Sequence, residues 1–235
     1  MSDTAIVTTR IDGDVAVVTL DDGKANAISF AALDQINAAL DSALETSKAV
    51  AFIGREGKFS AGFDLKVMTG EPESAREMLG RGAELGIRMA EFPIPLVLGV
   101  TGHALAMGGI MTVTADYRVG GEGPFKLGLN EVAIGMPVPK FAVELCRARL
   151  QSSHFTRALQ HAETFAPDPA VAAGFLDEVV ELAQVESRAV EVAAHLAATL
   201  NPRAFALTRR FMRGAMIEQI RAGLAEDLAL FTVET

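Results

Sequence analysis

The chain has 235 residues, half of them hydrophobic, and a formal net charge of −9. That length and apolar content allow one large domain, or a domain with a smaller appendage, while the acidic balance without any block of like charge argues against nucleic acid as a partner. The single cysteine, Cys146, excludes an intramolecular disulfide and a multi-cysteine metal site.

In chain order, Ala5 to Ile11 and Val15 to Asp21 are β-rich runs separated by the turn signal Asp12-Gly13-Asp14, which predicts an antiparallel hairpin. Lys24-Ala25-Asn26-Ala27-Ile28 is a small-residue loop, after which Ser29 can cap a helix carrying Leu33, Ile36, Leu40 and Leu44. A strand is expected at Ala49 to Ile53, then a second small-residue turn over Lys58 to Lys66. The polar stretch from Lys66 to Ser74 has few apolar anchors and is expected to be the most mobile connection. A helix near Ala75 to Ala90 is closed by Pro93 and Pro95.

The run from Leu96 to Val100 is continuously apolar and suits a strand covered on both faces. Gly102, Gly108 and Gly109 allow a sharp turn behind it, with a helix starting near Met107. The first N–H groups of that helix lack intrahelical partners and favour an anion, or a carbonyl oxygen that becomes one, although a tight turn with no ligand fits the same residues. Neither GxxxxGK[ST] nor GxGxxG is present, which argues against a nucleotide loop.

A short strand at Asp116 to Val119 precedes Phe125 to Pro137, an apolar, glycine-bounded stretch holding one carboxylate, Glu131. Burial there would raise its pKa towards neutrality and fit it for proton transfer; on local pattern alone a surface or capping glutamate is the better reading. Beyond it the chain reads as mainly helical: Val138 to Leu150, Ser153 to His161 and Asp168 to Gly174, then a strand at Asp177 to Val180 and a helix from Gln184 to Leu200. Asn201-Pro202 opens a last helix expected to run through Arg213. Cys146 falls with Phe141, Leu145 and Leu150 on an apolar helical pattern and reads as a core residue. His103 reads as a loop histidine oriented by packing, and His154, His161 and His195 lack metal-ligand partners at useful spacing. With no basic-plus-apolar leader and no apolar run of about 18 residues, the expectation is a cytoplasmic protein without a membrane segment.

The corners Ala61-Gly62-Phe63 and Ala106-Met107-Gly108 could each direct a backbone N–H at one oxygen. Taken with Lys24 to Ser29, Phe59 to Lys66, Gly102 to Gly108 and Gly128-Leu129-Asn130-Glu131 in that order, the chain resembles the crotonase, or enoyl-CoA hydratase/isomerase, family from Ile6 to about Val180. The resemblance implies an α/β spiral of ββα units, with an acyl-CoA-binding core over 1–182 and a helical oligomerisation region over 183–235 that builds a homotrimer or a dimer of trimers. It implies an acyl-CoA thioester as partner, coenzyme A as the substrate's carrier, and no separate cofactor or metal.

By position, the family's oxyanion donors fall on the N–H groups of Phe63 and Met107, and its second glutamate on Glu131. The segments that hold the CoA adenine and phosphates fall on Lys24, Ala25, Ala27, Ala61, Asp64, Leu65 and Lys66, with Gly108 at the second corner. The family's hydratases carry two glutamates, and the first falls on Ile110. A single carboxylate resembles the branch that shifts a double bond from Δ3 to Δ2. The loop Gly135-Met136-Pro137-Val138-Pro139 lacks the Asp nucleophile of the family's dehalogenases. A hydratase and a non-catalytic CoA-binding protein are the alternatives. The chain after Arg213 looks short for the family, leaving open how the C-terminal helices close the CoA site.

Overall fold

The computed structural model describes residues 5–230. In chain order its elements are β1 (Val7–Asp12), β2 (Val15–Leu20), β3 (Ala27–Ile28), α1 (Phe30–Thr46), β4 (Ala49–Ile53), β5 (Gly57–Ser60), β6 (Gly62–Phe63), α2 (Leu65–Met68) and α3 (Pro72–Ala90). They continue with β7 (Leu96–Val100), β8 (Gly102–Leu105), α4 (Met107–Thr114), β9 (Tyr117–Gly121), β10 (Leu127–Gly128), α5 (Lys140–Arg147), α6 (Ser152–Leu159) and α7 (Pro167–Ala173). The last are β11 (Glu178–Val180), α8 (Val185–Thr199) and α9 (Pro202–Leu230).

The expected hairpin forms: β1 and β2 pair antiparallel from Val7↔Leu20 to Asp12↔Val15. It edges a large sheet of order β1-β2-β4-β7-β9-β11, parallel beyond the hairpin. A small sheet has the order β10-β8-β5. Successive pairs β4–β5, β7–β8 and β9–β10 therefore each give one strand to the large sheet and one to the small sheet, which is the expected spiral. β5 and β8 fall where the sequence suggests only small-residue turns. Glycines make them possible: a Cβ on Gly102 would lie 2.0 Å from the Gly57 carbonyl carbon, so the two backbones pair only without side chains there.

Both faces of the large sheet are covered, and its alternating side chains divide between two cores. Ala16, Val18, Val50, Phe52, Leu96 and Leu98 pack in the main core with α1 and α3 residues such as Leu33, Ile36, Met78 and Leu85. Val15, Val17, Ala51, Ile53, Val97 and Val119 pack on the other face against Val185, Ala189 and Ala193 of α8.

The predicted caps at Ser29 and Asn201 are present, with N–H groups of Ala32 and Ala204 donating to their side-chain oxygens at 3.1 and 3.0 Å. The last helix runs past the expected end at Arg213 to Leu230. Beyond Arg213, Ile217, Ile220, Leu224 and Leu228 continue an apolar stripe against the main core, and that packing holds the helix together. Arg213 donates to the carbonyls of Ala90 and Thr114, at the ends of α3 and α4, where helix dipoles favour a cation. Near the far end of α9, Asp227 accepts from the N–H groups of Lys140 and Phe141 at 3.1 and 3.2 Å, capping α5 from another helix. The polar stretch after Lys66 is ordered further than its sequence suggests, because Asp64 caps α2 through the Lys66 N–H at 2.9 Å and α3 already begins at Pro72. Among the described residues no helix is long and apolar enough to cross a membrane.

Candidate active site

Both glycine corners meet at one place. At the first, Ser60 Oγ donates to the Asn26 carbonyl at 2.8 Å and accepts from the Gly62 N–H at 3.1 Å. The Asp64 N–H donates to the Ile28 carbonyl across the parallel β3–β6 pair, so the intervening Phe63 N–H is directed away from β3. Asn26, fully buried at φ 51°, braces this corner from below by donating to the carbonyls of Leu20, Lys58 and Phe59.

The second corner lies between β8 and α4. Met107 opens α4, and its N–H is one of those that a helix start leaves without an intrahelical partner. The corners touch: a Cβ on Gly62 would fall 2.7 Å from Ala106 Cβ and 3.3 Å from the Met107 nitrogen. Gly108 lets α4 approach this closely, since a Cβ there would lie 2.5 Å from the Ser60 carbonyl oxygen.

Glu131 comes to the same place through β10. The Ala106 N–H donates to the Gly128 carbonyl at 3.0 Å, which ties the segment before Glu131 to the second corner. Its own carbonyl then accepts from the N–H groups of Ile134 and Met136, both at 3.0 Å, and Gly135 at φ 80° reverses the chain. The carboxylate is held inward, 8% exposed, with Oε2 buried and unpartnered. Burial pushes its pKa from 4.5 up to about 7, against the lowering effect of a backbone hydrogen bond. Here the environment overrides the local pattern, which favoured a surface glutamate.

These elements enclose a cavity of about 90 Å³ lined by Ala61, Phe63, Leu65, Ala106, Ile110 and Glu131, with Met68, Leu79, Asn130, Ile134, Met136, Pro137 and Pro139 completing the wall. Glu131 is the one ionisable side chain among them. The sequence marks Asn130 only as part of a family motif and Gly135 to Pro139 only as a loop without an Asp, and does not show that Asn130, Ile134, Met136, Pro137 and Pro139 wall the cavity, although their adjacency to Glu131 was a usable signal. Lys24 and Lys66 are exposed, Ala25 accepts from the Ala61 N–H at 3.0 Å, and Ala27 pairs with Gly62, so this loop adjoins the first corner. Asp64 is occupied as the cap of α2. Gly108 and the buried Met107 side chain pack inward and do not line the cavity.

Cys146 is fully buried, and burial followed by the nearby Glu131 charge raises its thiol pKa, as expected for a core residue. His103 accepts from the Lys126 N–H through Nδ1 at 3.0 Å and packs edge-on against Phe125, outside the cavity wall. Among the described residues no cluster of three or more His, Cys, Asp or Glu could hold a metal ion.

The sequence profile described as enoyl-CoA hydratase/isomerase matches residues 10–235. The chain belongs to this family. It is 30% identical over 233 residues to mitochondrial enoyl-CoA delta isomerase 1 of Mus musculus, covering 97% of this chain and 80% of that protein. It is 34% identical over 141 residues to a probable enoyl-CoA hydratase of Bacillus subtilis, covering 58% of this chain and 54% of that one. The structure of an enoyl-CoA hydratase/isomerase family protein from Pseudomonas syringae superposes with a TM-score of 0.95 at 38% identity, covering 98% of this chain and all of that one. The Pseudomonas syringae structure shares this chain's fold, and the names of these relatives divide between isomerase and hydratase.

Phe63 links the site to α3. Its ring lies where a Cβ on Gly82 would be, with Cζ only 2.2 Å from that point. Gly82→Ala should therefore displace the ring and disturb the first corner, lowering kcat/KM on an acyl-CoA substrate by about tenfold. The melting temperature should move by only a few degrees, because alanine's better helix propensity offsets part of the crowding. Parent-like kinetics would show that the ring's position does not govern the corner.

Proposed function

We propose that this member of the family is an enoyl-CoA isomerase that moves a double bond from Δ3 to Δ2 with Glu131 as its single acid and base. The observation that carries this reading is the carboxylate itself: buried, raised to about 7, partnerless at Oε2 and facing a cavity where Ile110 offers only hydrocarbon. Hydration needs one group to hold and deprotonate water while Cα is reprotonated; a 1,3-proton shift needs one base that gives back the proton it takes.

In the proposed reaction Glu131 removes a proton from C2 of a 3-enoyl thioester, and the electron pair delocalises over C2, C3, C4 and the thioester oxygen. The N–H groups of Phe63 and Met107 donate to that oxygen, each contributing roughly 3 to 4 kcal/mol. The proton then returns from Glu131 to C4, leaving a C2–C3 double bond and a regenerated carboxylate. CoA lies along Lys24, Ala25, Ala27, Ala61, Leu65 and Lys66, with Lys24 and Lys66 as point charges for its phosphates; Gly108 and Asp64 shape the two corners. The proposed trimer or dimer of trimers is supported by Phe211 and Met212 of α9, apolar side chains more than three-quarters exposed.

The test is a paired assay of the purified protein on a trans-3-enoyl-CoA and on crotonyl-CoA. Isomerisation without hydration is expected. Hydration at a comparable rate would mean that a second group activates water despite Ile110, and would overturn the single-carboxylate mechanism.

A further inference from the structure

Ala106 has φ 49° and ψ −121°, a conformation that glycine adopts readily and alanine does not. Its backbone groups are both engaged, the N–H with the Gly128 carbonyl at 3.0 Å and the carbonyl with the Ile110 N–H at 2.9 Å. Ala106 lines the cavity, and with both backbone groups engaged its methyl is the group left to meet a ligand. The methyl lies at the seam of the two corners, against Gly62, whose missing Cβ would fall 2.7 Å from it. Gly62 is itself at φ 95°, so one corner gives up a side chain beside the point where the other supplies one under strain. Strain of this kind persists where surrounding structure imposes it, and it concentrates at active sites and ligand clamps.

We propose that the Ala106 methyl is a specificity-determining group that excludes acyl chains carrying a substituent at C2. The proposal rests on the acyl-thioester site described above. With the thioester oxygen between the Phe63 and Met107 N–H groups, the residue immediately before Met107 faces the carbons next to the carbonyl. The cavity of about 90 Å³ has little room to move a branched chain elsewhere; a cavity of roughly 150 Å³ accommodates benzene. Glycine at this position would relieve the backbone and open the seam.

The experiment compares the parent with Ala106→Gly in two measurements on the intact protein: melting temperature, and the dissociation constants of butyryl-CoA and 2-methylbutyryl-CoA. Ala162→Gly is the control, because Ala162 also has a positive φ, 51°, but lies outside the cavity wall. Both variants should melt a few degrees higher, about 2–4 °C. The parent should bind the branched ester about tenfold or more weakly than the straight one, a ratio that Ala106→Gly alone reduces to about 3 or less. An unchanged ratio in Ala106→Gly, or an equal fall in Ala162→Gly, would overturn the proposal. Because both esters are saturated, a protein with no isomerase activity that still shows the change in ratio would refute the proposed reaction while sustaining the role of Ala106.

Discussion

Glu131→Gln should reduce kcat/KM on a 3-enoyl-CoA by at least about 10³-fold while leaving the binding of CoA intact, because the amide keeps the shape of the side chain and loses its basicity. The same substitution should stabilise the protein above neutral pH. The folded carboxyl group has its pKa raised from 4.5 to about 7, mainly by burial. Below pH 4.5 the folded and unfolded states both hold the proton and the group has no effect. Between 4.5 and 7 the unfolded state releases it first, so stability falls as pH rises, and the loss is complete above about pH 7. It amounts to about 3 kcal/mol. The melting temperature of Glu131→Gln relative to the parent should therefore rise between pH 4.5 and pH 8, by roughly 5–10 °C for a chain of this size. In the parent, kcat/KM should climb with pH through about 7 as the free enzyme's base ionises. A variant with full isomerase rate would remove Glu131 from the mechanism, and a stability difference flat in pH would show that its carboxylate is not buried in solution.

Gly108→Ala should damage fold and activity together. The new methyl would meet the Ser60 carbonyl oxygen at 2.5 Å, Ser60 Cβ at 2.9 Å and the Ser60 carbonyl carbon at 3.1 Å, mainly backbone that cannot rotate away. Ser60 is also fixed by its bonds to the Asn26 carbonyl and the Gly62 N–H. The start of α4 must then withdraw from β5, which separates Met107 from the Phe63 corner. Overpacking of this kind costs about 2–3 kcal/mol, or roughly 5–10 °C in melting temperature. Displacing one proposed oxyanion donor by about 1 Å should lower kcat/KM roughly 10²-fold. Thermal denaturation and steady-state kinetics on a 3-enoyl-CoA read both effects. Parent-like values in both would mean that the corners tolerate separation and that Gly108 is not what holds them together.

The sequence determined the opening hairpin, the caps at Ser29 and Asn201, the buried strand Leu96–Val100 and the two glycine corners, because each is written in local chemistry: turn residues, cap residues and hydrophobic periodicity. It also supplied the order of motifs that marks the family, and Ile110 at the position where the resemblance puts the first of a hydratase's two glutamates. Tertiary structure decided the rest. Strands β5 and β8 exist because glycine backbones approach across the small sheet, a contact between Gly57 and Gly102 that no local window contains. Helix α9 runs on to Leu230, past the end expected at Arg213, because its apolar stripe finds α3 and α5. Glu131 changes from a candidate surface residue to a buried carboxyl group because β10 carries it to the start of α4, into a wall contributed by segments far apart in the chain. Burial and desolvation are properties of that assembled wall, so the residue's identity was legible in the sequence and its pKa was not.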